Sequence, residues 1–291
     1  MRASNGWSVA VRRPDGVIEA RSDELPRLSA RSRAAKVPLI RGVMVLVESL
    51  SLGIRALSWS ATKATDEDED EIKPRHIAGA MGLAFIFFVG FFMLLPLLIA
   101  RGAEQVLGES TVLFNVIDGL VRLMLFVGYI WAIGRSEEIA RVFMYHGAEH
   151  KTIHAYEAGE PLSIDAIQKY SPRHPRCGTN FLLIVILIAI LVFTAIGRPG
   201  WFWLVASRIL LIPVIAGISY EVLKLAHDHR WMSLASRPGI WLQRLTTREP
   251  TDDQVEVAIA ALLAALHGDE RAETERRGPV APGGLAYVVS A

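Results

Sequence analysis

The sequence predicts a mainly α-helical polytopic membrane protein with about four transmembrane helices, a small N-terminal β-hairpin and cytosolic helices. Hydrophobic residues make up 52% of the 291 residues, and the mean hydropathy is +0.32, which points away from an ordinary soluble protein. Residues 77–100 hold no charged side chain over 24 positions, enough to cross a hydrocarbon core of about 30 Å. The net charge of +1 gives no information about nucleic-acid binding, and we expect no nucleic-acid partner. The single cysteine excludes an intrachain disulfide.

Residues 1–36 form the first predicted unit, a cytosolic segment that contains the hairpin. Trp7, Val9 and Val11 alternate with shorter or polar residues, as in a strand with one buried face. The Arg-Pro-Asp-Gly sequence that follows supplies turn residues, so we expect the β-hairpin at 7–20.

Residues 37–61 are apolar, but their uncharged runs are short. Arg41, Glu48 and Arg55 recur every seven residues, which places the three charges on one helical face. This pattern favours an interfacial or re-entrant helix over a lipid-exposed span. A fifth span here would instead place the amino terminus outside the cell. The acidic segment 62–76 that follows is a predicted linker.

The transmembrane domain is predicted at 77–226, with spans at about 77–100, 112–134, 179–197 and 201–226. The loops after the first and third spans hold one Arg each, and nearly all other Lys and Arg lie on the opposite side of the membrane. By the positive-inside rule, both termini and the segment 135–178 are cytoplasmic. We therefore expect a multi-pass protein of the cytoplasmic membrane, with the lipid bilayer as its first partner.

Four ionisable residues interrupt the predicted spans. Asp118 and Arg122 are four residues apart, so they can pair on one helical face. Arg208 and Glu221 are separated by about 20 Å along a helix. Each of these two therefore needs a partner on another element.

The region 227–268 is predicted to be cytosolic and to contain an amphipathic helix at 251–267. Thr251 and Gln254 have the spacing of a capping box, and apolar side chains recur on one face after them. Such a face needs a docking partner, so we expect a protein partner at this helix. The composition of 269–291 predicts a flexible tail.

The stretch HGAEHKTIHAYE at 146–157 places imidazoles and carboxylates on one side of a predicted helix. At about 100° per residue, these side chains continue the apolar stripe that begins at Ile139. They need partners there, since an unpaired buried polar group costs about 2–7 kcal/mol. A metal ion is one such partner, and an internal salt-bridge network is another. The polar members of the stripe are His146, Glu149, His150, His154 and Glu157.

His146, Glu149 and His150 have the spacing H-x-x-E-H of the inverzincin metallopeptidases. Two imidazoles one helical turn apart can share a zinc ion, and the carboxylate beside them can polarise a water molecule. The five-residue pattern is weak evidence by itself. His154, another turn along, adds a third potential ligand and strengthens the metal interpretation.

The sequence HPRCG at 174–178 brings an imidazole and a thiol to the same membrane face. His174 and Cys177 are good ligands for zinc or another borderline metal, and prolines stiffen the loop that presents them. A lone cysteine before a membrane span is more often a small buried apolar residue. The sequence leaves Cys177 open as a metal ligand, a nucleophile or a packed thiol.

Four segments of the chain have the pattern of a known family: HGAEHKTIHAYE, HPRCGTNFLLIV, RGVMVLVESLSLGIRALSWSA and PGIWLQRLTTREPTDDQVEVAIAAL. They resemble the YqhQ-like family of uncharacterised bacterial membrane proteins. The resemblance covers most of the chain, and it implies a metal-dependent enzyme of unknown reaction. The matching positions are His146, Glu149, His150, Lys151, Glu157, His174, Pro175, Arg176, Cys177 and Gly178, with Arg41, Gly42 and Glu48.

The amino terminus departs from that family. Its members begin with a glycine-rich segment that ends in a GVMMR-like run, of which only Met1 and Arg2 are present here. We therefore expect the native start to lie upstream. If glycines there help to form the cytosolic site, the sequence from Met1 holds only part of that site. Sequencing the native amino terminus tests this expectation.

The leading hypothesis is a cytosolic-face site for a divalent metal ion such as zinc. His146, His150 and His154 would bind the ion, and His174 or Cys177 would complete the site. Supporting roles are expected from Lys151, Glu157, Arg176, Glu48 and Arg41.

Glu149 is the candidate catalytic base if the protein is an enzyme, and hydrolysis is then the reaction class that the site supports. The alternative is a non-catalytic assembly or biogenesis factor for membrane proteins, in which the His/Glu cluster is a structural network. A transporter ranks last, because few ionisable residues lie within the predicted spans. Metal content distinguishes the first two hypotheses.

Overall fold

The computed structural model shows a mainly helical chain with one small sheet. It describes residues 1–3, 6–24, 36–64, 74–175, 177–197, 200–228, 237–278, 280 and 287–290. The strands are β1 (Gly6–Arg12), β2 (Ile18–Glu24) and β3 (Tyr287–Ser290). The helices are α1 (Ile40–Ala64), α2 (Pro74–Phe88), a π-helical segment (Val89–Leu94), α3 (Leu95–Leu107), α4 (Thr111–Ile133), α5 (Glu137–Glu157), α6 (Ile164–Gln168), α7 (Thr179–Ile196), α8 (Trp201–Leu210), α9 (Ile212–Asp228), α10 (Arg237–Thr246), α11 (Asp252–Ala265) and α12 (Gly268–Arg276).

The predicted hairpin is present and is slightly longer than expected. β1 and β2 pair antiparallel, with Ala10 opposite Ala20. In the turn, Gly16 has a φ of 85°, which favours glycine. The Val17 N–H donates to Asp15 Oδ1 at 3.0 Å, so the aspartate closes the turn. Period-two alternation and turn chemistry were therefore sufficient to identify the hairpin.

Helix α11 is the centre of the head, the unit formed by the sheet with α5, α6, α11 and α12. Its predicted capping box forms, and Gln254 Oε1 accepts from the Thr251 N–H at 3.0 Å. One side of α11 packs on α5 and α6, and the other packs on β1 and β2. All residues from Val257 to Leu266 are buried. Other elements of the same chain thus cover the apolar face of 251–267 for which a protein partner was expected.

The expected flexible tail also differs from the structure, which has α12 and β3 within 269–291. β3 pairs parallel with β2. In α12, ion pairs four residues apart join Arg271 to Glu275 and Arg277 to Glu273 at 3.0 and 3.1 Å. Arg277 also donates to the Tyr156 carbonyl oxygen at 3.0 Å, which ties this helix to the end of α5. Low hydrophobicity suggested disorder, but local charge pairs and one anchor to α5 support a helix.

The apolar bundle, formed by α2–α4 and α7–α9, contains the candidate membrane spans. Two described helices are long and apolar enough to cross a membrane, Gly79–Leu107 and Thr111–Ile133. A third candidate is the pair α8 and α9, which is bent by 46°. The apolar part of α7, Phe181–Ile196, is shorter. The described helices thus give two or three candidate spans where the sequence predicted about four, and they indicate membrane association.

Helix α1 connects the bundle to the head. Near its start, Gly42 lies so close to α9 that a Cβ on it would press on Tyr220 and Gly217. A Cβ on Gly217 would press on the backbone of Leu39, just before α1. Near its end, Lys63 Nζ is 2.9 Å from Glu19 Oε1 of the sheet. Several large apolar side chains between these ends are exposed, among them Val47, Leu50 and Leu57. α1 is one uninterrupted helix of 25 residues.

The ionisable residues of the predicted spans find the partners that the sequence required. Arg122 Nη2 is 3.1 Å from Asp118 Oδ1, one turn along α4. Arg208 reaches across to α4, and its Nη2 is 3.3 Å from Asp118 Oδ2. Glu221 of α9 pairs with Arg41 of α1 at 2.5 Å. Both ionisable residues of the bent pair α8–α9 are therefore paired with other elements, as expected.

Candidate metal centre

Helix α5 carries most of the candidate site, and its sequence explains its bounds. Ser136 precedes the helix. Two acidic residues occupy its first turn, where the positive end of the helix dipole stabilises their negative charge. The helix ends at Glu157, and Gly159 follows with a φ of 77°. Ala148 and Ala155 are buried in the core shared with α11. This packing leaves the imidazoles of α5 against the loop that leads to α7.

Three potential metal ligands lie together at this point. The ligand atoms of His146, His150 and Cys177 are all within 4.8 Å of one another. Cys177 Sγ is 3.4 Å from His146 Nε2, and the two imidazole centroids are 4.3 Å apart. We call these residues the Cys/His group. Two imidazole nitrogens and one thiolate sulfur suit zinc and leave one position of a tetrahedral site open, so the residues present fit this ion.

Backbone carbonyls fix the orientation of both imidazoles. His146 Nδ1 donates to the Thr246 carbonyl oxygen at 2.8 Å, and His150 Nδ1 donates to the Pro172 carbonyl oxygen at 2.7 Å. Because a carbonyl oxygen only accepts, each Nδ1 carries a proton. In the neutral rings, each Nε2 then has a free lone pair. Metal-binding histidines are usually held in this way.

The electrostatics favour a thiolate at Cys177. Burial by itself raises the pKa of Cys177, but hydrogen bonds with His146, His150 and Thr179 lower it to about 5. Burial lowers the pKa of His146, but the hydrogen bond and negative charge of Cys177, together with the Thr246 carbonyl and the charge of Glu149, outweigh burial and raise the pKa. A thiolate is the form of cysteine that binds metals and acts as a nucleophile.

Gln243 of α10 holds the loop that presents Cys177. Its Oε1 accepts from the His174 N–H at 2.8 Å, and its Nε2 donates to the His174 carbonyl oxygen at 2.9 Å. The Cys177 N–H also donates to that carbonyl oxygen, at 3.3 Å. Gln243 is fully buried, so water does not compete for these hydrogen bonds.

A close backbone approach brings the Thr246 carbonyl to His146. A Cβ on Gly147 would overlap the Arg248 carbonyl oxygen, so only glycine allows the segment after α10 to lie against α5. The Arg248 N–H donates to the Phe143 carbonyl oxygen at 3.0 Å, which fixes the same approach one turn earlier. The contact between α5 and the backbone at Arg248 therefore explains why α5 contains a glycine in its interior.

His154 and His174 form a second group beside the first. Their ring centroids are 4.4 Å apart, and that of His174 is 5.8 Å from that of His150. His154 Nε2 donates to a loop carbonyl at 3.0 Å, and His174 Nε2 is 3.4 Å from Glu157 Oε2. Burial and the charge of His154 lower the pKa of His174. Among the described residues, the three-ligand group contains Cys177 and neither of these histidines.

Glu149 and Lys151 face away from the second group. Glu149 lines a cavity of about 260 Å³ between α5, α1 and the hairpin, with Trp7 and Leu52 among the other lining residues. Lys151 is buried, and its Nζ is 2.6 Å from a carboxylate oxygen of Glu249 and donates to the Gln168 carbonyl oxygen at 3.0 Å. Lys151 thus ties α6 and the segment before α11 to the site helix.

Two of the residues predicted to support the site form ion pairs away from the Cys/His group. Glu48 is buried and pairs with Arg2 at 3.0 Å, and Arg41 pairs with Glu221 of the bundle. These two ion pairs hold α1 in place and do not include the Cys/His group. Arg176 lies outside the described residues.

Sequence reasoning missed Gln243, Thr246 and Gly147. A signal existed for two of them. Gln243 is an amide directly after the apolar residues Ile240, Trp241 and Leu242, and Gly147 stands inside a helix, where glycine costs roughly 0.5–1 kcal/mol relative to alanine. Thr246 contributes only its carbonyl oxygen, so its side chain gave no indication.

Comparisons with known proteins identify a family and name no activity. A family described as a protein of unknown function, DUF1385, matches residues 37–268. The uncharacterized protein YqhQ of Bacillus subtilis (strain 168) is 34% identical to this chain over 289 residues, which cover 93% of this chain and 90% of the relative. No solved structure gives a significant match.

Proposed function

The chain belongs to the DUF1385 family of unknown function, and we propose that it is a multi-pass membrane protein with a metal-dependent hydrolytic site at the Cys/His group. One observation carries this proposal. His146 and His150, one turn apart on α5, meet Cys177 from a separate loop, and the three ligand atoms lie within 4.8 Å of one another. Both imidazoles are already oriented by backbone carbonyls, which reduces the ordering that metal binding would require.

The three residues of the Cys/His group would hold a divalent ion such as zinc. The bound ion would act as a Lewis acid towards a water or carbonyl oxygen. Three protein ligands leave one tetrahedral position for an outside molecule, as in hydrolytic zinc sites. His174 is a nearby imidazole that would close this position if it turned towards the group, and the site would then be structural.

Glu149 is the proposed general base. It stands between the two histidines of the Cys/His group in sequence, and its partly exposed carboxylate lines the 260 Å³ cavity beside α5. A carboxylate in that position would accept a proton from water and release it to solvent. Glu149→Gln should therefore leave metal content unchanged. A loss of metal from this variant would instead indicate that Glu149 is a metal ligand.

The proposed orientation places both termini and the Cys/His group on the cytoplasmic side. Lys and Arg are concentrated in the segments that flank the bundle on the side of the head, which supports this orientation by the positive-inside rule. Labelling of single introduced cysteines in intact cells tests it. We expect labels in the 108–110 loop to react with an impermeant reagent and labels in the head to be protected.

Metal content of the detergent-purified protein tests the site. We expect one divalent ion per chain, and loss of that ion from His146→Ala, His150→Ala and Cys177→Ser. His267→Ala is a matched control, because His267 binds the Ala265 carbonyl oxygen outside the group. A native protein without metal, or variants that keep the ion while folded, would overturn the proposal.

Replacement of the ion by cobalt separates a hydrolytic site from a structural one. An open position predicts that added acetohydroxamate changes the visible cobalt spectrum. A site closed by a fourth protein ligand predicts no change, and this result would favour the non-catalytic assembly factor.

A second candidate function is thiol-based catalysis without a metal. The lowered pKa of Cys177 and its 3.4 Å approach to His146 Nε2 have the geometry of a nucleophile with its base. This candidate predicts that metal-free protein retains activity and that Cys177 reacts rapidly with alkylating reagents in the protein as purified. Metal binding predicts protection of Cys177 that is lost after chelation.

A further inference from the structure

The apolar bundle contains a buried group of polar residues that the proposed hydrolytic site does not use. Asn115 and Asp118 of α4 and Arg208 of α8 are 1%, 2% and 2% exposed. Arg122 lies one turn after Asp118, at the edge of the group, and its side chain is 18% exposed. We call these four residues the buried charge group. Charges at such a depth are rare in apolar bundles and usually mark a functional site.

The buried charge group has an excess of positive charge. Arg208 Nη2 donates to Asn115 Oδ1 at 2.9 Å and to Asp118 Oδ2 at 3.3 Å. Arg122 Nη2 donates to both oxygens of Asp118, at 3.1 and 3.2 Å. Two guanidinium groups therefore share a single carboxylate. A low-dielectric environment penalises this imbalance unless another anion is present.

Arg208 also has donors that no described residue satisfies. Its Nε and Nη1 are buried and have no hydrogen-bond partner in the described part of the chain. The ring of Phe193 covers one face of the guanidinium, with its centroid 3.8 Å from Cζ. A ring face attracts the cation but does not accept the in-plane N–H groups. Nε and Nη1 therefore remain available to an acceptor that approaches in the plane of the guanidinium.

A cavity leads towards this group from the end of the bundle away from the head. Its volume is about 660 Å³, and Phe114 and Leu204 form part of its lining. Phe114 is the neighbour of Asn115 in sequence, and Leu204 lies one helical turn, about 5.4 Å, before Arg208. Arg101 stands over Trp201 in the same cavity, with Glu104 and Glu109 also in the lining. The buried side chains of Phe114 and Leu204 thus lie between this cavity and the buried charge group.

We propose that the buried charge group binds a small inorganic anion, of the size of chloride, at the free N–H groups of Arg208. The anion would balance the second guanidinium and satisfy the two unpartnered donors together. Neutral water would satisfy the donors but would leave the charge imbalance. The site is independent of the Cys/His group, and neither proposal depends on the other.

Chloride binding by the detergent-purified protein tests this site. Line broadening in chloride NMR should be saturable in the native protein, at constant ionic strength with gluconate as the replacing anion. Arg208→Gln should weaken chloride affinity at least about tenfold, as expected for loss of a charge-assisted hydrogen bond. Arg55→Gln, which removes an exposed arginine of α1, should leave the affinity unchanged.

Asp118→Asn provides a second test if Arg208→Gln does not fold, because, unlike alanine, asparagine keeps an oxygen acceptor for both guanidinium groups. This change removes the carboxylate that competes with the anion, so chloride affinity should rise at least about tenfold. No saturable chloride binding in the native protein, or weaker binding in Asp118→Asn, would overturn the proposal. Equal affinity in folded Arg208→Gln and native protein would also overturn it.

Discussion

The Cys/His group and the buried charge group satisfy their polar atoms in different ways. The imidazoles of His146 and His150 donate to the backbone carbonyls of Thr246, at the end of α10, and Pro172, in the loop before α7. Asp118 instead binds the side chains of Arg122, one turn along the same helix, and Arg208 of α8. The geometry of the first group therefore depends on how loops dock on α5, and that of the second depends on charge balance.

Removal of the shared carboxylate should have the largest effect on stability. In Asp118→Ala, Arg122 and Arg208 lose their common acceptor, and breaking a buried ion pair costs about 3–5 kcal/mol. Denaturant unfolding in detergent measures this loss. Glu160→Ala, at an exposed position after α5, should change the free energy of unfolding by less than about 0.5 kcal/mol. A loss below about 1 kcal/mol in Asp118→Ala would show that water or a bound anion takes the place of the carboxylate.

Disruption of loop docking should have the next largest effect. The added methyl group of Gly147→Ala would overlap the Arg248 carbonyl oxygen, and overpacking of this kind costs about 1–3 kcal/mol. We expect the upper end of that range, with weaker metal binding, because the Thr246 carbonyl moves away from His146. In Gly53→Ala, the added Cβ meets no atom within 4 Å, so stability should be unchanged or slightly higher. Equal behaviour of the two variants would contradict the proposed docking.

Loss of the Gln243 clamp should affect metal binding more than the fold. Gln243→Leu replaces the amide with an apolar side chain of similar size and releases the His174 peptide group. Residues that orient metal ligands typically contribute about 10–100-fold to affinity, and we expect a decrease in this range. Competition with a chromogenic zinc chelator measures it, with Gln105→Leu on the surface of α3 as the control. Unchanged affinity would mean that the loop holds Cys177 without Gln243.

The smallest effect is expected in the head, at α12. Glu275→Ala removes an exposed ion pair with Arg271, which contributes about 0.3–0.5 kcal/mol. Amide hydrogen exchange of residues 268–276 should therefore be only slightly faster. Complete loss of protection would show that the exposed pairs, rather than the anchor of Arg277 on Tyr156, hold this helix.

Local patterns predicted the fold better than they predicted the site. Alternation identified the hairpin, and helical periodicity placed His146 and His150 on one face of α5. The same periodicity grouped His154 with them, but His154 lies beside His174 instead, because the approach of the loop decides which imidazole meets Cys177. Contacts between residues far apart in sequence, such as Gln243 with His174, leave no periodic signal. The bend between α8 and α9 and the shorter α7 likewise follow from packing that hydropathy does not record.

Cobalt titration of the metal-stripped protein tests the central claim most directly, because a thiolate ligand gives a characteristic charge-transfer absorption. The Cys/His group predicts that this band appears, saturates at one cobalt ion per chain and disappears in Cys177→Ser. His267→Ala should titrate like the native protein. Absence of the band in a folded, metal-stripped protein, or an unchanged band in Cys177→Ser, would contradict the assignment of His146, His150 and Cys177 as a metal site.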